Sequence, residues 1–173
     1  MTVRTLEQKR AEYAWKVIST LKDLKVLVKK EDNKTEERSK YNQEKLLTLF
    51  RKLPSMIMHN GLVTTLVFLR SKSVSNKEIK EEGVVLYSLI YYLQQVKEHG
   101  NDSKYNQARD EVGGKLKNLS TRELEEEYKA YFQNLFKKSF TEYRYETKKA
   151  LNIAQWLKRI AEGEIEDEGK GSD

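Results

Sequence analysis

The chain has 173 residues, with 33 Lys and Arg against 27 Asp and Glu and a formal net charge of +6. It has no cysteine, which excludes disulfides and thiolate metal centres, and its apolar stretches are too short and interrupted to span a membrane. One proline and eight glycines among abundant Lys, Glu and Leu favour helix over strand, so an all-α fold of one domain is expected.

The charged opening MTVRTLEQKR has no apolar stretch behind it and reads as no secretory signal, so a cytoplasmic location is expected. Thr5-Leu6-Glu7-Gln8 has the form of a capping box. Leu6, Ala14, Val17, Ile18, Leu21, Leu24 and Val28 then recur at three and four residues, which predicts a helix over 6–29. Residues 30–35 are wholly polar and read as a loop. A second helix is predicted over 38–52, with Leu46, Leu49, Phe50 and Leu53 inward. Pro54 lacks a backbone donor and is expected to start a new segment.

The third helix, 55–71, is the most apolar and is expected to be the most buried. Gly61 in its interior costs about 1 kcal/mol against alanine, which predicts close approach of another helix there, with Asn60 hydrogen-bonding across the contact. Ser75-Asn76-Lys77-Glu78 reads as a second capping box, opening a helix to about residue 98. A weak helix follows over 104–112, ended by Gly113-Gly114. Ser120-Thr121-Arg122-Glu123 opens a helix to about 138, and Ser139-Phe140-Thr141-Glu142 the last, to about 162. Short connections predict an antiparallel bundle of five to six helices. Its expected core includes Leu21, Leu24, Phe50, Ile57, Leu62, Leu66, Leu69, Leu89, Leu93, Leu151 and Trp156. Residues 1–162 form this domain, and 163–173 read as an acidic disordered tail.

Charge is unevenly spread. Glu162, Glu164, Glu166, Asp167, Glu168 and Asp173 stand against Lys170 alone, a net −5 over residues 161–173 that leaves +11 on residues 1–160. A cationic body attracts polyanions, nucleic acid above all; a solvated Lys/Glu surface has the same composition. No nucleotide-loop, zinc-helix or nucleophile-elbow motif is present, and neither His59 nor His99 stands in a recognisable constellation. No metal, cofactor or small-molecule substrate is expected. Tyr87, Tyr91 and Tyr92, Tyr128, Tyr131 and Phe132, and Tyr143 and Tyr145 form groups that either stack bases or pack the core. Arg4, Lys9 and Arg10 cluster on the first helix, and Arg144, Lys148 and Arg159 share a stripe on the last, with Lys149 and Lys158 beside them. Phosphate contact and plain solubility both suit such residues.

Three stretches, in this order, resemble one family: RTLEQKRAEYA at 4–14, KLPSMIMHNGLVTTLVFL at 52–69 with Lys72 close behind, and YRYETKKAL at 143–151 with WLKRIA at 156–161. Together they look like the small, fifth-named subunit of the Cmr (type III-B) CRISPR effector complex. Nothing is carried over onto residues 100–138, which are longer and more polar than the family pattern, nor onto the tail. The resemblance implies an all-helical, non-catalytic subunit acting in antiviral defence. Its partners would be the backbone subunits, further copies of itself, and target RNA paired with guide RNA. Base pairing would supply sequence specificity, so backbone contacts suffice. The candidate RNA-facing residues are Arg4, Lys9, Arg10, Lys52, Lys72, Arg144, Lys148, Lys149, Lys158 and Arg159. The competing reading is a helical scaffold whose basic surface is incidental.

Overall fold

A computed structural model describes residues 4–30, 34–98 and 102–167. The Thr5 box forms as expected: the Thr5 hydroxyl accepts from the Gln8 backbone N–H and the Gln8 side chain accepts from that of Thr5. Helix α1 (Leu6–Asp23) stops six residues short of its predicted end. Beyond it, β1 (Lys25–Lys29) pairs antiparallel with β2 (Thr35–Ser39), in register from Lys25↔Ser39 to Lys29↔Thr35. The apolar residues of KVLVK satisfy a strand as well as a helix, and the β-branched Val26 and Val28 favour the strand. The predicted loop is therefore a hairpin connection, of which 31–33 lie outside the described residues.

The second helix starts later and runs further than predicted. Asn42 caps α2 (Gln43–Asn60) by accepting from the Lys45 N–H, and the helix passes through Pro54. Its inward face of Leu46, Leu47, Leu49, Phe50, Leu53 and Ile57 is continuous across the proline. Burial of that face outweighs one missing hydrogen bond. The break falls at Gly61, with φ +81° and ψ 165°, where α3 (Leu62–Ser71) begins. A side chain at Gly61 would meet only the Tyr143 hydroxyl, at 4.0 Å, and Asn60 is exposed. Gly61 therefore serves a backbone conformation that L residues rarely adopt, and the expected close helix approach with an Asn60 bridge is absent.

Ser75–Glu78 forms no capping box. β3 (Val74–Ser75) and β4 (Glu78–Ile79) make a tight hairpin whose turn residues Asn76 and Lys77 have φ of 52° and 64°, the left-handed pair that matches strand twist in a two-residue turn. Helix α4 (Glu81–Gln95) is the most enclosed element, with every residue from Glu82 to Leu93 buried. It packs against α2 and α3, and against three later helices: α5 (Asp102–Lys117), α6 (Thr121–Phe136) and α7 (Phe140–Glu164). That place was expected of α3, whose Val67 and Phe68 instead face solvent.

Helix α5 runs through Gly113 and Gly114, because Gly113 is where a neighbour approaches. A Cβ there would lie 2.9 Å from Lys16 Cε and 3.0 Å from Thr20 Oγ1 of α1. Residues 102–138, set aside as outside the family pattern, supply Tyr105, Val112, Leu116, Leu124 and Tyr131 to the core. The Ser120 and Ser139 caps form as predicted. Leu21, Phe50, Ile57, Leu62, Leu66, Leu69, Leu89 and Leu93 are buried, while Leu24, Leu151 and Trp156 are partly so. The body is helical, with seven helices among the described residues rather than five or six, and two short hairpins added. Its C-terminal end is ordered further than expected. Ile165 is buried, and Arg51 pairs with Glu162 and Asp167. Residues 168–173 of the acidic tail lie outside the described residues.

Candidate nucleic-acid interface

Helix α7 lies along α1 and α2. The Gly61–Tyr143 proximity and the Arg51–Glu162 pair show that α2 runs antiparallel to it. Its inward face is Glu146, Lys149, Ala150, Ile153, Ala154, Leu157 and Ala161. At 100° per residue, Arg144, Lys148, Gln155 and Arg159 fall within about 60° of one another on the opposite side, and all four are exposed. Lys158, half-buried, borders this stripe. None of its four cations pairs with a carboxylate among the described residues. Arg144 sits over the Phe140 ring at 5.7 Å and Arg159 over Trp156 at 5.1 Å, contacts that restrict the guanidinium groups while leaving their charge unneutralised.

The other candidates are placed differently. Arg4 pairs with Glu12 at 3.0 Å and also reaches Asn106. Lys9 is buried, with its ammonium on Asp102 and 5.6 Å from the centre of the Tyr105 ring. Arg10 makes a two-pronged bond to Glu98, Nε and Nη2 each 2.9 Å from a carboxylate oxygen, and Tyr92 donates to the same carboxylate. Burial, reinforced by Glu98, pushes the Tyr92 phenol well above its ordinary pKa. Lys149 is buried beneath this network. It donates to the carbonyls of Leu93 and Val96, which the end of α4 leaves open, and burial lowers its pKa.

The sequence-predicted set therefore divides. Arg144, Lys148, Lys158 and Arg159 come together on one open face. Arg4, Lys9, Arg10 and Lys149 are engaged within the fold. Lys52 is exposed but turned about 100° from Arg51, the α2 side chain that reaches α7. Lys72 follows α3, which packs on α2 and α4, and its ammonium lies over Phe68. Tyr87, Tyr91, Tyr92 and Tyr131 are core residues, so the packing reading holds for them. His59 is exposed, its Nδ1 beside the Ser55 carbonyl; His99 lies outside the described residues. Missed by the sequence reading were Trp15, half-exposed on α1, and its neighbours Lys16 and Arg109. Their signal was present: Trp15 stands on the α1 face opposite Tyr13 and Val17. Among the described residues no three His, Asp or Glu side chains converge on a metal position, and no helix is long and apolar enough to cross a membrane.

The fold is that of a mostly helical protein, and α7 carries an open row of cations. Residues 6–164 match the family described as CRISPR-associated protein (Cas_Cmr5), and the chain belongs to that family. It is thereby placed among the subunits of the Cmr CRISPR complex. The match runs through residues 102–138, in keeping with their contribution to the core.

Proposed function

We propose that this chain is a non-catalytic small subunit of the Cmr effector complex in the cytoplasm, serving antiviral defence, with α7 facing the groove that holds guide RNA paired with target RNA. The observation that carries the reading is the contrast between the two groups of cations. Those near the N-terminus are compensated by carboxylates, whereas Arg144, Lys148 and Arg159 of α7 stand exposed and uncompensated along about 22 Å of helix. Such a row contacts phosphates without reading bases. The test is reversal of Arg144, Lys148 and Arg159 to Glu in the reassembled complex. The expected result is unchanged assembly, weaker target-RNA binding and a shallower dependence on salt. Unchanged RNA affinity with failed assembly would move α7 to a protein interface and favour the scaffold reading.

Contact between copies has its own support. Leu27 on the β1–β2 hairpin is 72% exposed, and Phe136 and Phe140 at the α6–α7 junction are 69% and 76% exposed. The hairpin precedes the start of α2, while the N-terminal turns of α7 lie at its end. The two apolar patches thus lie toward opposite ends of α2, an 18-residue helix roughly 27 Å long. Two different surfaces at opposite ends suit head-to-tail stacking of identical copies along an extended RNA.

A further inference from the structure

Helices α1 and α7 run side by side in the same direction, Lys22 pairing with Glu164 at their C-terminal ends. Between them and α5 lies an open cleft of about 570 Å³. Trp15 and Ile160 give it apolar walls; Lys16, Ser19, Arg109 and Glu12 supply the polar lining. Trp15 is 51% exposed, so about half of a large aromatic residue is left without protein cover. Glu12 is the one acid in the lining. Its carboxylate already accepts from Arg4 at 3.0 Å and from Arg109 at 2.9 Å, and Arg109 also donates to Asp110 at 2.9 Å. The stem of Lys16 lies beside Gly113 of α5, and the residue is exposed. The cleft therefore joins a half-exposed indole to Lys16, a cation that no carboxylate pairs among the described residues. Ile160 follows Arg159 but is turned about 100° from it around α7, so the cleft is a separate surface from the stripe.

We propose that this cleft receives a single unpaired nucleobase of an RNA strand, stacked on Trp15, with Lys16 on the adjoining phosphate. Stacking on an aromatic side chain tolerates any base, because every base has a π-face, and it works best beside cations. A duplex held on the α7 stripe cannot offer such a face, since its bases are stacked on one another; a strand that leaves the duplex can. The inference rests on the RNA-contact reading of α7 but concerns a different surface and a different form of RNA. A docked protein side chain is the competing occupant. Lys16, the lining cation without a carboxylate partner among the described residues, favours an anionic strand over an apolar peptide.

The test uses the full chain carrying Trp156→Phe, so that Trp15 is the only indole. Short single-stranded RNA is expected to quench its emission, and a duplex of the same sequence is not. Trp15→Ala should weaken single-strand binding by roughly 5- to 150-fold, the range of base–aromatic stacking, with duplex binding unchanged. Trp15→Phe should restore most of the affinity, which separates stacking from misfolding. Single-strand affinity unchanged in Trp15→Ala, while the α7 reversal still weakens duplex binding, would overturn this inference and leave the function standing. No affinity for either RNA, in the chain or the assembled complex, would remove both. Loss of complex assembly in Trp15→Ala with unchanged RNA binding would assign the cleft to a protein neighbour and overturn the inference. Quenching by uridine monophosphate as strong as by the strand would assign it to a free nucleotide, which also overturns it.

Discussion

Arg10 and Glu98 show how a cation that looks functional in sequence is absorbed by the fold. The Glu98 side chain is only 3% exposed, so its charge depends on the two bonds from Arg10. Removing one partner of a buried pair costs about 3–5 kcal/mol because the other is left uncompensated. Arg10→Ala should therefore lower the melting temperature sharply, and Arg10→Ala/Glu98→Gln should recover part of the loss. If Arg10 served RNA alone, its removal would leave the melting temperature where it was. Lys149 makes a separate, pH-dependent prediction. Burial lowers its folded pKa below the ordinary 10.5. Between those two values the unfolded chain binds a proton that the native one does not, so this group's contribution to stability rises with pH across that window. Buried tyrosines act in the opposite sense above pH 10, so the comparison is the stability difference between wild type and Lys149→Met. That difference should shift in favour of wild type as pH rises through the alkaline range; a pH-independent difference would remove the burial argument. None of these pairings was readable in the sequence. Arg10 and Glu98 lie 88 residues apart, and no spacing rule reaches across helices.

At the scale of elements, the signals that survived are the ones with local chemistry. The Thr5, Ser120 and Ser139 caps each fix a helix start within four residues, and the sequence placed all three. The Ser75–Glu78 motif has the same spelling but became a hairpin turn, because Asn76 and Lys77 adopt left-handed backbone and close β3 on β4 before α4 begins. Glycine and proline misled where long-range packing decided. Pro54 did not end a helix whose Leu-rich face continues across it, and Gly113-Gly114 did not end α5. Two glycine substitutions separate the reasons. Gly61→Ala places a side chain at φ +81°, ψ 165° and should destabilise by about 1–3 kcal/mol. Gly114 is helical with nothing within 4 Å of a built Cβ, so Gly114→Ala should stabilise by about 0.5–1 kcal/mol. Thermal melts check both. Loss of stability in Gly114→Ala would mean that α5 does not continue through the pair as a regular helix. The α7 stripe was legible in advance because it depends only on helical spacing; the Trp15 cleft was not, because three helices that meet only in the fold build it.

For the molecule as a whole, the proposed contact between copies turns on where apolar surface is placed. The β1–β2 hairpin carries Leu27 in mid-strand, opposite Glu37, and the α6–α7 junction carries Phe136 and Phe140, with α2 between these two ends. A contact from one end to the other is heterologous, so each copy added leaves a fresh end and a stack grows until something caps it. A contact of like ends would instead close at a dimer. Two blocked variants distinguish these geometries. Leu27→Asp disables the hairpin end, and Phe136→Asp/Phe140→Asp disables the other; all three side chains are largely exposed, so the fold should tolerate the changes. Under contact of unlike ends, neither variant associates with itself. Mixed, they should form one-to-one pairs and stop there, because each pair presents only blocked ends. Sedimentation of each variant and of the mixture reads this directly, at concentrations where the unmodified chain forms longer species. Self-association of Leu27→Asp alone would show that the phenylalanine ends meet each other. That outcome would end the head-to-tail proposal while leaving the α7 face untouched.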